Sequence, residues 1–122
     1  MKKEIPIRTK DKKFYRQYLR LMAPITKLQE KESDVLAYIL YYNNKYRDLP
    51  EDVKWRMVFD TSTRKVIQTE LKMSPAHLAN ILSSLRKKKV LTEENKISAG
   101  HIVEFNDSEF LLTFKFIHDG QE

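Results

Sequence analysis

The sequence contains no cysteine, only two glycines and four prolines, and no long apolar run. Without cysteine the chain can form neither a disulfide nor a thiolate metal site. Gly100 and Gly120 are too far apart for a glycine-rich loop that cradles phosphates. The lysine-rich start lacks the apolar core of a signal peptide, and no stretch approaches the roughly 20 apolar residues of a membrane span. We therefore expect a cytoplasmic protein that makes no contact with a membrane.

Patterns typical of catalysis and metal binding are missing as well. His77, His101 and His118 lie far apart in the sequence, and none has a second ligand at the spacing of a metal site. Acidic pairs such as Glu93 and Glu94 have no adjacent histidine, serine or cysteine with which to form a catalytic set. The sequence thus predicts neither an enzyme nor a bound metal or small-molecule cofactor.

What the chain does contain is charge. Its 122 residues are 33% charged and 41% hydrophobic, with a net charge of +6. This length supports one core, which predicts a single domain over residues 14–118, a basic leader at 1–13 and a short tail at 119–122. Lysine and arginine concentrate in the leader and at residues 86–89. Such an uneven positive charge favours a polyanionic partner.

The most informative segment is residues 61–89, which predicts two short helices joined by a tight turn. Ser74 can cap the second helix, and Pro75 takes the first position, where its missing N–H costs nothing. Apolar residues then recur at helical spacing, so the second helix, predicted over residues 75–89, buries one side and exposes the other. The predicted buried residues are Leu78, Ile81, Leu82 and Leu85.

The exposed side of this second helix carries small, polar or cationic side chains, which suit a surface that faces a groove of DNA. Asn80 is the best candidate for a base contact, because its amide can pair with adenine for roughly 1–3 kcal/mol of discrimination. Nearby cations and hydroxyls suit phosphates. Helix capping, a favourable helix dipole, a structural hairpin or a solvated surface is the alternative explanation of these residues. The candidate DNA-binding residues are Ser62, Arg64, Lys65, Lys72, Ser74, Ala76, His77, Asn80, Ser83, Ser84, Lys87, Lys88, Lys96 and His101.

The segments before residue 61 predict a scaffold for this pair of helices. Residues 28–43 carry an apolar stripe at helical spacing and predict the main scaffold helix, with Thr26 and Gln29 as one option for its capping box. Residues 14–25 fit both a strand and a helix, and we expect a strand followed by a short helix that Pro24 limits.

The connecting and C-terminal segments predict extended structure. Residues 45–55 predict a loop or a helical turn, and residues 57–59 a short strand. Two further strands are predicted over residues 97–105 and 110–117, the second because its aromatic and apolar residues alternate. The order is then three helices followed by a hairpin.

Three stretches repeat patterns of one known family. Residues 28–36 (LQEKESDVL) are similar to a family pattern, Leu-Thr-x-x-Glu-x-x-Val-Leu, at the start of the scaffold helix. Residues 64–91 (RKVIQTELKMSPAHLANILSSLRKKKVL) resemble the family's helix-turn-helix, with Met73 or its neighbours and Lys89 where glycine is usual. Residues 102–111 (IVEFNDSEFL) resemble the family's strand, asparagine and phenylalanine ending. Together they resemble winged helix-turn-helix DNA-binding proteins, of the type of MarR-like regulators and small plasmid and phage replication initiators.

The resemblance implies an α+β winged helix-turn-helix, in which a helical core carries a C-terminal β-hairpin wing. It implies sequence-dependent binding of double-stranded DNA, as a transcriptional regulator or a replication-initiation protein of a phage or plasmid, in the host cytoplasm if a phage encodes it. A homodimer and a phage or replication protein as partner are further expectations. The alternative is a winged-helix module for protein interaction or structure, for example a component of a phage particle or its packaging machinery.

Overall fold

The computed structural model describes residues 6–94, 96–98 and 117–118, in which the chain forms five α-helices. They are α1 (Asp11–Thr26), α2 (Glu30–Lys45), α3 (Glu51–Val58), α4 (Thr61–Leu71) and α5 (Pro75–Lys87). The first helix starts three residues before the domain boundary predicted at residue 14. The other four helices all pack against α2, which therefore sets their positions. None of these five helices is long and apolar enough to cross a membrane.

The central helix α2 is the scaffold helix predicted over residues 28–43, displaced by two residues. Its N-terminal cap is Gln29, whose N–H donates to the Glu32 carboxylate at 2.8 Å. The predicted capping box, with Thr26 as the cap and Gln29 as its partner, is therefore wrong. The cap is Gln29, and its partner is Glu32, the third residue of the helix. The apolar stripe of α2 is buried, with at most 1% exposure at Val35, Leu36, Ile39 and Leu40.

Residues 14–25 belong to one continuous helix, so the prediction of a strand followed by a short helix is wrong. Phe14, Tyr15 and Leu19 are buried in the core, and α1 packs along α2. Pro24 lies inside α1, and the helix ends two residues later at Thr26, before the left-handed Lys27. The apolar pattern of this segment fits a strand and a helix equally well, and burial against α2 selects the helix.

The short helix α3 covers part of the loop or helical turn predicted over residues 45–55. Pro50 stands directly before it, and two acidic residues fill its first turn, where they complement the helix dipole. The short strand predicted over residues 57–59 is wrong, because Met57 and Val58 complete α3. Val58 is buried in the core, which explains the apolar character of this segment without a strand.

The prediction of an α+β winged helix is wrong, because the described residues form helices and no β-strand. After α5 the chain turns at Lys89, with φ 61°, and forms an isolated antiparallel bridge between Leu91 and Ile97. Both bridged side chains are buried, so they fill the helical core and do not line a sheet. The predicted strands at residues 97–105 and 110–117 lie, except for their outermost residues, outside the described part of the chain.

Candidate nucleic-acid interface

The helix α4, the first of the predicted pair, starts with a side-chain cap. The Asp60 carboxylate accepts the Thr63 N–H at 2.7 Å, and the Thr63 hydroxyl donates to the Met57 carbonyl at 2.9 Å. These two bonds fix the first turn of α4 to the end of α3. Candidates exposed on this fixed turn are Ser62, Arg64 and Lys65.

A tight turn joins α4 to α5, as the sequence predicts. Lys72 takes the left-handed conformation with φ 53°, and the Met73 N–H donates to the Gln68 carbonyl at 3.0 Å. Met73 is buried and anchors the turn in the core, whereas Lys72 is exposed. A glycine would adopt this left-handed conformation without strain, whereas the Cβ of Lys72 makes it about 1 kcal/mol less favourable.

The second helix of the pair, α5, confirms the predicted start and the predicted buried side. The Ser74 hydroxyl oxygen accepts the His77 N–H at 3.0 Å, and Pro75 is the first helical residue. The helix ends at Lys87, two residues before the predicted end. Its buried residues are the predicted Leu78, Ile81, Leu82 and Leu85.

The opposite side of α5 faces away from the core. The exposed residues are Ala76, His77, Ala79, Asn80 and Lys87, while Ser83 is half-buried. The Asn80 amide forms no hydrogen bond with the residues that the structure describes, so it can pair with an external group. We use the name α4–α5 surface for the exposed residues of α4, Lys72 and the exposed residues of α5.

Two of the residues predicted to contact DNA bind Glu32 of α2. Lys88 Nζ lies 2.6 Å from Glu32 Oε1, and the Ser84 hydroxyl donates to the other carboxylate oxygen. Glu32 itself is only 3% exposed. These contacts fasten the C-terminal half of α5 to the start of α2, so Ser84 and Lys88 have a structural partner, just as Ser74 has one as the helix cap.

The Glu32 carboxyl is held in its ionised form. Burial raises its pKa, but hydrogen bonds from Lys88, Ser84 and the Gln29 N–H lower it by more, so the pKa lies below its ordinary value. The carboxylate thereby compensates one cation at the end of α5. Lys87 and Lys89 are exposed and have no carboxylate partner in the described part of the chain, so they leave this end of α5 positive.

The remaining candidates lie after α5. Lys96 Nζ pairs with the Glu94 carboxylate at 3.5 Å, and the Lys96 N–H donates to the Thr92 hydroxyl oxygen at 3.1 Å. Lys96 is thus next to the bridge that follows α5, whereas His101 lies outside the described residues. Within residues 6–94, 96–98 and 117–118, no three histidine or acidic side chains come close enough together to hold a metal ion.

Sequence reasoning missed the contacts made by the start of α2. Glu32 belongs to the quoted scaffold-helix pattern, but its partners are 52 and 56 residues away and no periodicity connects them. Lys31 was missed as well: its ammonium donates to the Leu71 carbonyl at 3.5 Å, beside the turn between α4 and α5. Neither the contact of Lys31 nor those of Glu32 could be predicted from the local sequence, which shows only a lysine next to a glutamate in the first turn of a helix.

Comparison with known proteins finds no relative of this chain. No family model matches it, no curated protein is detectably similar to it, and no solved structure matches it. The functional interpretation of the α4–α5 surface therefore depends on its own geometry and charge.

Proposed function

We propose that this protein binds double-stranded DNA in a sequence-dependent way through the α4–α5 surface. The observation that carries the proposal is the position of Asn80, which is exposed on the side of α5 opposite its buried stripe. The major groove of B-DNA admits an α-helix, and an asparagine amide can pair with two atoms of an adenine edge there. A capped, 13-residue helix anchored along one side is a rigid support for such a contact.

The cations around α5 would bind the DNA backbone. Arg64 and Lys65 on the first turn of α4, and Lys87 and Lys89 at the end of α5, are exposed and suit phosphates on either side of a groove. Phosphate contacts fix the register of a protein on DNA, whereas Asn80 would supply the sequence dependence. The protein would act by occupying a site, as a transcriptional regulator or a replication-initiation protein of a phage or plasmid.

A second candidate function is a protein-interaction module. It is favoured by the N-terminal half of α5, where Ala76 and Ala79 are exposed and no lysine or arginine is present. Small side chains let another helix approach closely, because the distance between helix axes depends on the side chains at the contact. This function predicts weak DNA binding without sequence preference, together with assembly that depends on a protein partner.

Selection from a pool of random duplexes tests the proposal. The full chain is incubated with the pool at about 150 mM salt, where counterions screen weak contacts. We expect one enriched sequence, and we expect Asn80→Ala to lose about 1–3 kcal/mol of discrimination at one base pair. Lys87→Gln should weaken binding to all duplexes alike and reduce the negative slope of log affinity against log salt by about 0.9.

Arg56→Gln is the matched control for charge. The Arg56 side chain is 76% exposed on α3, so this variant removes one cation outside the α4–α5 surface and should leave the salt slope unchanged. If no sequence is enriched and Asn80→Ala changes nothing, sequence-dependent binding is wrong. If Lys87→Gln also behaves like the control, α5 does not bind DNA and the protein-interaction module is the better explanation.

A further inference from the structure

A cavity of about 230 Å³ lies between α1, α2 and α4. One side of it is formed by cations that follow each other at intervals of three residues, and the other side by Ala37, Tyr38 and Glu70. The cations are Lys10, which directly precedes α1, and Lys13 and Arg16 of α1.

Two of the polar groups in this lining are paired within the protein. Arg16 donates to both oxygens of the buried Asp34 carboxylate, at 3.0 and 3.2 Å. Burial raises the pKa of Tyr38, and a hydrogen bond to Glu70 raises it further, so its phenol stays protonated as a donor. These pairs leave Arg16 and Tyr38 with internal partners.

With Arg16 paired to Asp34, Lys10 and Lys13 give the cavity lining two cations against the single Glu70 carboxylate. Both are exposed, and neither forms an ion pair among the residues that the structure describes. They stand one turn apart at the start of α1, since Lys10 is the N-terminal cap residue and its carbonyl accepts the Lys13 N–H at 2.8 Å. Neighbouring ammonium groups repel each other, so an anion placed between them is favoured.

The cavity is next to the α4–α5 surface. Glu70 lies in the last turn of α4, two residues before Lys72 and four before Ser74, the cap of α5. The last turn of α4 therefore both borders the cavity and leads into α5.

We propose that Lys10 and Lys13 bind a backbone phosphate of the duplex that α5 contacts, so that the DNA interface extends to the start of α1. This inference rests on the proposed function. A phosphate fits the pair, because its oxygens accept hydrogen bonds from several ammonium donors at once and its charge offsets their repulsion. Sequence-independent contacts of this kind add affinity and register without reading bases.

The test is the salt dependence of binding to the enriched duplex, measured with the full chain. Lys10→Gln combined with Lys13→Gln should lower the negative slope of log affinity against log salt by about 0.9, which corresponds to a loss of about fivefold in affinity at 150 mM salt. Arg47→Gln combined with Arg56→Gln removes the same charge from exposed positions after α2 and on α3, and should leave the slope unchanged. Unchanged urea midpoints show that both variants are folded.

A slope equal to that of the control double variant overturns the inference, while a reduced slope for Lys87→Gln in the same experiment leaves the proposed function standing. If neither lysine variant differs from its control, both ideas fail together. Inorganic phosphate alone is titrated by calorimetry as a separate arm. Binding of free phosphate that Lys10→Gln with Lys13→Gln abolishes, with no change of the duplex salt slope, assigns the site to a small anion and also overturns the inference.

Discussion

Replacing Glu32 by glutamine keeps the size of a buried side chain and removes the charge that joins the start of α2 to the end of α5. The Glu32 carboxylate accepts hydrogen bonds from the Lys88 ammonium at 2.6 Å, from the Ser84 hydroxyl and from the Gln29 N–H at 2.8 Å. In Glu32→Gln one amide oxygen must replace two carboxylate oxygens, so part of this set is lost. We therefore expect a less stable protein with an unchanged fold.

The expected loss of unfolding free energy is about 2 kcal/mol at pH 7. A hydrogen bond to a charged group contributes about 1.5–3 kcal/mol when buried, and removal of one partner leaves the other unsatisfied. The Lys88 side chain is 39% exposed, so solvent screens its pairing with Glu32 and limits that contribution to about 1 kcal/mol. Glu30→Gln is the matched control, because the Glu30 side chain is 73% exposed and its pair with Arg20, at 3.3 Å, should contribute below about 0.5 kcal/mol.

The effect should depend on pH in a definite direction. The pKa of Glu32 is lowered in the folded protein, so its stabilisation is complete above the ordinary glutamate pKa of about 4.3 and is lost as pH falls through the lowered folded value. The difference in stability between the wild type and Glu32→Gln should therefore shrink as the pH falls below about 4.3. It should stay constant between pH 6 and pH 8.

Urea unfolding at pH 7 and pH 3, followed by circular dichroism, measures these differences. A double-mutant cycle with Lys88→Met, which keeps the apolar stem, isolates the pair and should give a coupling energy of about 1 kcal/mol at pH 7. The reasoning is refuted if Glu32→Gln lowers the free energy of unfolding by no more than Glu30→Gln does, or if its effect on that free energy is the same at pH 3 as at pH 7. Equal urea slopes for all variants are required for the comparison.

Three further predictions concern stability and are measured by the same urea titration. Ser33→Ala should stabilise the protein by about 0.5–1 kcal/mol, because the buried Ser33 hydroxyl has no partner among the described residues; a loss above about 1 kcal/mol would contradict this. Lys89→Gly should raise the free energy of unfolding by about 0.5–1 kcal/mol, because glycine adopts the positive φ of 61° without strain. Lys87→Gly, inside α5, should lower the free energy of unfolding by about 1 kcal/mol; equal effects of the two substitutions would disprove the left-handed turn. Leu85→Ala should cost about 2–5 kcal/mol and Leu21→Ala, at an exposed position, less than about 1; similar costs would count against the buried stripe of α5.

The sequence predicts α5 well because its signals are local. Ser74 and Pro75 fix the start through contacts within one turn, and the spacing of the apolar residues fixes the buried side. The same periodicity finds α2 to within two residues. A helix whose sequence contains both a cap residue and an apolar stripe can be predicted with little knowledge of its tertiary contacts.

Local signals fail at residues 14–25, at residues 57–59 and in the predicted wing. Dense aromatic and aliphatic residues fit a strand as well as a helix, and only packing along α2 selects the helix α1. Val58 is apolar because the core surrounds it, not because it pairs in a sheet. Leu91 and Ile97 form one isolated bridge and are buried in the same core. Their apolar character is therefore explained by burial and not by a strand.

Some features of the candidate site could be predicted from the sequence, and others could not. The exposure of Asn80 and Lys87 follows from their place on the helical wheel, so the sequence could predict it. The pairing of Ser84 and Lys88 with Glu32 could not be predicted, because these partners meet only when α2 and α5 pack together.

By itself the sequence determined the start, the buried side and the exposed side of α5, and it excluded disulfides and a glycine-rich phosphate loop. Those features depend on residue type and on contacts within one helical turn. Only the tertiary structure decided that α1 is helical, that Lys10 and Lys13 border a cavity beside α4, and that Glu32 holds the end of α5. The physical reason is that these contacts join residues far apart in the chain, and folding, not local spacing, brings them together.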